Sequence, residues 1–263
     1  MNRINLLFAN KKNNILNIYF TAGHPHLEDT VAIIQSLTEA GADLVEIGMP
    51  YSDPLADGPT IQASSAQALR NGMNLGLLFN QIKDARTKSS IPFIMMGYFN
   101  QLMQYGIERF MAKAKDSGVD GMIIPDLPVE EFEKHYKELF DRYDMNISFL
   151  ITPQTPEARI RHIDAVSNSF IYMVSSNAIT GAKSNIDAEQ EEYFTRIEHM
   201  KLKNPRLIGF GISNKTTFDK ACGFAQGAII GSAFIQTLDK AKQDEIKTKV
   251  NQFISSVRNG SPA

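Results

Sequence analysis

The chain has 263 residues, of which 43% are hydrophobic and 21% charged, and its 27 Lys and Arg against 29 Asp and Glu give a formal net charge of -2. That length suits one large α/β domain or two small ones and can bury a self-sufficient core. The near-balanced charge, with no basic stripe interleaved with aromatics, excludes the usual footprint of a nucleic-acid binder, and the single cysteine, Cys222, excludes an intrachain disulfide and a thiolate metal cluster.

No apolar run approaches the 18 or so residues of a membrane span. The first apolar stretch is far shorter than the core of an export signal, so the expected location is the cytoplasm. No low-complexity segment or Pro/Gly/Ser-rich linker divides the chain, and one domain over 1–263 is expected. Eight short apolar segments read as strands: 15–20, 43–47, 92–96, 121–124, 146–151, 170–174, 206–210 and 227–230. Most are rich in Ile and Val and end in Gly, Pro, Ser or Thr. Helical spacing fills the gaps. Residues 26–40 place Leu27, Val31, Ile34 and Leu37 on one face, with Gly41 as a stop. Residues 107–115 repeat the pattern through Ile107, Phe110, Met111 and Ala114. Residues 129–142 carry Glu130, Glu131 and Glu133 early and Arg142 late, as the helix dipole favours.

Strands alternating with helices imply a parallel sheet, and eight such units close into a (β/α)8 TIM barrel, here with an extra N-terminal helix. An open doubly wound sheet is the alternative. Its glycine fingerprint is incomplete, because Gly209 and Gly211 lack the third glycine. In a barrel the chemistry sits at the C-terminal ends of the strands.

The second strand holds Glu46 between Val45 and Ile47. Alternation sends the two apolar residues outward under helices and Glu46 into the barrel. A carboxyl buried there takes a raised pKa, suited to general acid/base work near neutral pH. A structural carboxylate bonded to a neighbouring group fits the position equally. The loop that follows, 51–60, holds Asp53 and Asp57 among prolines and a glycine. Asp57 can accept a hydrogen bond from a substrate N–H or O–H, and turn chemistry is the other reading, favoured for Asp53.

Glycine segments end the last three strands: Thr180-Gly181-Ala182, Gly209-Phe210-Gly211 and Gly231-Ser232-Ala233. In barrels the loops after strands seven and eight often cradle a phosphate on backbone N–H groups beside a short helix. Glycines that simply end strands are the plain alternative. The polar loop 175–185 reads either as a lid or as an ordinary loop. Tyr172, which shares a face with Phe170 and Val174, reads as a core residue or as a hydroxyl at the rim. The five histidines show no ligand spacing, and no metal is expected.

Taken together these segments resemble the tryptophan synthase α chain family. The run 46–62, Glu-Ile-Gly-Met-Pro-Tyr-Ser-Asp-Pro-Leu-Ala-Asp-Gly-Pro-Thr-Ile-Gln, carries the likeness. Thr21-Ala22-Gly23-His24-Pro25, Asn100, Pro125-Asp126-Leu127-Pro128, Ile179-Thr180-Gly181, Gly209-Phe210-Gly211-Ile212-Ser213 and Gly231-Ser232-Ala233 support it in order. The resemblance implies cleavage of indole-3-glycerol phosphate to indole and glyceraldehyde 3-phosphate. It makes Glu46 the general acid/base and Asp57 the group that receives the indole N–H. It puts the phosphate on Gly181, Gly211, Gly231 and Ser232, with Tyr19, Met96, Tyr172, Thr180, Phe210 and Ile230 bordering the substrate. It further implies an α2β2 assembly with a β chain that carries pyridoxal phosphate, the α chain itself needing no cofactor. The loop after the second strand and the 126–128 turn would face that partner. Ala178 stands where the family usually has glycine, and Tyr19 and Tyr51 replace frequent phenylalanines. A free-standing lyase, or a noncatalytic phosphate-binding barrel that activates a partner, are the alternatives.

Overall fold

The computed structural model of the chain describes residues 1–174, 188–209 and 211–260. Among the described residues one parallel sheet forms from β1 (Ile15–Thr21), β2 (Leu44–Gly48), β3 (Phe93–Met96), β4 (Gly121–Ile123), β5 (Asn146–Ser148), β6 (Leu150–Ile151), β7 (Ile171–Val174), β8 (Arg206–Gly209) and β9 (Gly227–Ile230). Their order is β5-β4-β3-β2-β1-β9-β8-β7-β6. Eight segments were expected and nine strands are present, because the fifth segment, 146–151, is divided at Phe149. Its first half ladders with β4 and its second with β7. The Phe149 carbonyl accepts the Tyr172 N–H at 3.0 Å. The two edges of the sheet are therefore joined by the chain itself, and the sheet is a nearly closed barrel.

Alternation sorts the side chains into two apolar layers. Val45, Ile47, Met95, Ile208, Ala228 and Ile230 lie in the outer layer, under the helices. Ile15, Leu44, Ile94, Ile123, Phe170, Tyr172, Leu207 and Ile229 face inward. The helix Arg3–Asn10 closes the lower end of this interior. Its Ile4 is fully buried in the inner layer, with Leu7 and Phe8 packed against it. Burying such a side chain is worth about 2 kcal/mol. The Asn2 side chain caps the helix by accepting the Ile4 N–H at 2.9 Å and donates to the Asp120 carbonyl at 2.7 Å. Gly121 makes room for this plug, since a Cβ there would stand 2.7 Å from Ile4 Cδ1.

The helices depart from expectation at their ends. The first after β1 is Asp29–Ala40 and not 26–40, because His26 forms a turn on Asp29, its Nδ1 lying 2.7 Å from Oδ2. Gly41 ends it with φ 92°. The expected helix 129–142 is broken at Tyr136 (φ -124°, ψ -18°) into Val129–His135 and Lys137–Arg142. Among the described residues no helix is long and apolar enough to cross a membrane.

Candidate active site

The register of β2 sets Glu46 beside Tyr19 of β1 and Ile94 of β3, inside the barrel. Its side chain is 0% exposed. Removal from water pushes its carboxyl from an ordinary 4.5 up to about 8, against the opposing pull of the Asn17 side-chain amide, which donates to Oε1. The other oxygen, Oε2, has no protein partner. A buried carboxylate is costly and a buried carboxylic acid much less so, so Glu46 holds its proton at pH 7. The sealed lower end of the barrel maintains this effect by excluding water beneath it.

Above Glu46 a cavity opens at the C-terminal ends of the strands. Tyr19, Asp57, Met96, Tyr172, Gly211, Gly231 and Ser232 line it, together with Pro125, Leu150 and Ile229. Glu46 is not among the lining residues. Tyr19 places its hydroxyl and ring over Gly48, the next inward position above Glu46, and Tyr172 does the same over Gly209. A Cβ at either glycine would collide with the tyrosine, so the two glycines make room for the two tyrosines, which form the cavity floor. The carboxyl lies one layer below it.

Asp57 reaches the cavity from the loop after β2, just before the helix Pro59–Arg70. The Tyr98 hydroxyl donates to its Oδ2 at 3.0 Å, and the Ala56 N–H donates to that hydroxyl at 2.9 Å. Tyr98 is stacked on Tyr51 with centroids 5.2 Å apart, and Asn100 donates to the Tyr51 hydroxyl at 2.8 Å. The hydroxyl that distinguishes Tyr51 from phenylalanine thus ties the loop to the start of the helix Phe99–Tyr105. Burial pushes the Asp57 carboxyl up to about 6, with Tyr98 pulling it down. The two carboxyls are thereby separated: near pH 7 Glu46 is neutral and Asp57 largely ionised. Asp53 is exposed; its carboxylate accepts the hydroxyl of its neighbour Ser52 at 2.6 Å and its carbonyl accepts the Leu55 N–H at 2.9 Å.

Ile230 is a correction. Expected at the cavity, it packs instead in the outer layer, fully buried, and Ile229 takes the inward position. Both are isoleucines, so nothing in Gly-Ala-Ile-Ile marks which one turns inward. Thr180, Gly181 and Phe210 lie outside the described residues, as do Ala178 and the rest of the expected lid at 178–185. Gly211 sits at φ +76°, a conformation that favours glycine. Two site residues escaped the sequence reading. Asn17 was legible as a lone amide in an otherwise apolar strand, two positions before Tyr19. Tyr98 follows the end of β3, where rim residues belong. Among the described residues no group of three or more His, Cys, Asp or Glu could hold a metal ion.

Comparison with known proteins places these features in a family. The family described as tryptophan synthase alpha chain matches residues 6–261. A tryptophan synthase alpha chain of Flavobacterium psychrophilum is 54% identical over 257 residues, covering 98% of this chain and 100% of the relative. One of Parabacteroides distasonis is 55% identical over 238 residues, covering 90% and 93%. Among solved structures, a chain of the tryptophan synthase complex of Pyrococcus furiosus superposes with a TM-score of 0.85 at 31% identity, covering 94% of this chain and 98% of that one. The alpha chain of Legionella pneumophila gives 0.87 at 30% identity, covering 98% and 96%. The chain belongs to the tryptophan synthase alpha chain family.

Proposed function

We propose that this chain cleaves indole-3-glycerol phosphate to indole and glyceraldehyde 3-phosphate, the α reaction of tryptophan biosynthesis. The observation that carries the reading is the pair of buried carboxyls held in opposite protonation states, a pattern that assigns acid and anion roles. In this reading neutral Glu46 extends past Tyr19 and Tyr172 and donates its proton to the indole carbon that bears the side chain. The ring nitrogen becomes cationic, and ionised Asp57 accepts its N–H and stabilises the charge. Glu46, now a carboxylate, takes the proton of the adjacent side-chain hydroxyl. The carbon–carbon bond breaks, its electron pair returns to the ring, and the oxygen becomes the aldehyde of the second product. The proton that Glu46 gives is replaced by the one it takes, so the cycle needs no external acid, oxidant or cofactor.

The phosphate rests on backbone N–H groups at Gly211 and Gly231 and on Ser232, with Gly181 completing the cradle. That anchor lies away from the reacting carbons and supplies binding energy for orientation. Tyr19, Met96, Tyr172 and Ile229 border the substrate, and the family resemblance adds Thr180 and Phe210 to that set. With β5 and β6 counted as one stave, the chain from 1 to 263 is one (β/α)8 barrel domain, with Arg3–Asn10 as an addition to that frame. The partner is a tryptophan synthase β chain, which carries the pyridoxal phosphate and receives the indole in an α2β2 assembly in the cytoplasm. Leu55, 86% exposed on the loop that also bears Asp57, supplies an apolar contact for it. Indole release from indole-3-glycerol phosphate by the isolated chain, repeated with added β chain, tests this. Release that rises with β chain supports it. Activation of a β chain with no indole released by either mixture would leave only a noncatalytic barrel.

A further inference from the structure

The lower half of the barrel contains a buried polar side chain that the reaction above does not use, paired with the carboxyl that it does use. Asn17 of β1 is 0% exposed and lies two positions before Tyr19, on the same inward face. It is not among the cavity-lining residues, so it stands below the floor formed by Tyr19 and Tyr172. Its amide donates to Glu46 Oε1, while its own Oδ1 and Glu46 Oε2 have no partner. Among the described residues that hydrogen bond is the one polar tie on the carboxyl, and its donor is not among the residues that line the cavity.

We propose that Asn17 is a positioning residue that tethers Glu46 beneath the cavity floor in the substrate-free protein and sets the proton affinity of Glu46 in that state alone. This rests on the reading of Glu46 as the proton donor. An N–H donor stabilises a carboxylate more than a carboxylic acid, so the tether opposes the rise that burial imposes. When Glu46 extends into the cavity to reach substrate, the tether is released and Asn17 no longer acts on it. The other titratable groups that face Glu46 are few. Tyr19 from β1 and Tyr172 from β7 are both pushed upward by burial and stay neutral, and the neighbour from β3 is the apolar Ile94. Asp57 acts on the same two tyrosines.

The consequence separates two kinetic quantities. The pH dependence of kcat/KM reports groups of the free enzyme, and that of kcat reports the substrate complex. Asn17→Leu keeps the branched shape and removes the donor. Loss of a hydrogen bond to an ionised group corresponds to roughly 1–2 pH units. The alkaline limb of kcat/KM is expected to move upward by that amount, and the alkaline limb of kcat to stay in place. A merely structural role for Asn17 would lower both quantities without moving either limb. Should Asn17→Leu not fold, Asn17→Val removes the same donor with a side chain suited to a strand.

A second arm does not depend on turnover. With 13C-labelled glutamate, the Glu46 carboxyl signal is assigned by its loss in Glu46→Gln and titrated in the substrate-free protein. Its midpoint is expected to rise in the Asn17 variant. An unmoved midpoint overturns the proposal, as does a shift of the kcat limb equal to that of kcat/KM. A fully active Glu46→Gln would instead remove the catalytic reading of Glu46, leaving the titration to decide the coupling to Asn17.

Discussion

Replacing Glu46 by Gln should stabilise the folded chain at alkaline pH, and the size of the effect follows from burial. In the unfolded chain the Glu46 carboxyl loses its proton near 4.5, and in the folded barrel it keeps it to about 8. Between those values folding takes up a proton, so the stability this group contributes is complete below about 4.5 and is lost as pH rises through about 8. That interval, at about 1.4 kcal/mol per pH unit, bounds the loss at roughly 5 kcal/mol. Relaxation and water entry reduce such penalties, and about 2–3 kcal/mol is a reasonable expectation. For a chain of this size each kcal/mol moves Tm by about 2–4 °C, so a difference on the order of 5–10 °C should open between the variants. Glutamine carries no proton to lose, and its amide can still pair with Asn17. The assay is thermal unfolding by circular dichroism at pH 5, 6, 7, 8 and 9 for both proteins. The Tm gap should widen in favour of the variant from the lowest pH up to about 8 and then level off. Two melting profiles that run parallel across the whole range would refute the assignment of Glu46 as a buried, protonated acid.

Three further substitutions probe the rest of the site. Tyr98→Phe removes the hydroxyl that donates to Asp57, so the Asp57 pKa should rise above about 6 and the acid limb of indole release should move upward by up to about one pH unit, read from rate profiles between pH 5 and 8. Ser232→Ala should raise KM for the phosphorylated substrate about tenfold at nearly constant kcat, the loss of one hydrogen bond to an ionised group. Gly227→Ala would drive a methyl group into the Ile15 carbonyl, where β1 and β9 pair, and should cost about 2–4 kcal/mol in denaturant unfolding.

Much of this architecture is legible before any coordinates. Parallel strands buried on both faces appear as Ile- and Val-rich runs, and that is why β1, β2 and β9 fall where the apolar segments lie. The inward direction of Glu46 is readable because it is a charged residue between Val45 and Ile47, and a charge marks the phase of a strand. Gly-Ala-Ile-Ile offers no such marker, and Ile230, which the resemblance sets beside the substrate, packs in the outer layer. The division at Phe149 was invisible for a different reason. Apolar pattern reports burial, whereas a strand boundary depends on which neighbour each carbonyl meets. The break at Tyr136 likewise has no glycine or proline to announce it. Hydrogen-bond partners are the least readable layer: Asp57 could be named from its loop, but its bond to Tyr98 spans 41 positions and exists only once β2 and β3 are side by side.

The central claim is that Glu46 performs both proton transfers while Asp57 stabilises the cation between them. The measurement that tests it most directly is kcat and KM for indole release from indole-3-glycerol phosphate by the native chain, Glu46→Gln and Asp57→Asn, each shown to be folded by circular dichroism. Removing a general acid/base costs about 10²–10⁴-fold, and kcat of Glu46→Gln should fall at least that far with KM nearly unchanged. Asp57→Asn should retain more activity, because an amide oxygen still accepts the indole N–H. A folded Glu46→Gln that turns over at close to the native rate would contradict the mechanism.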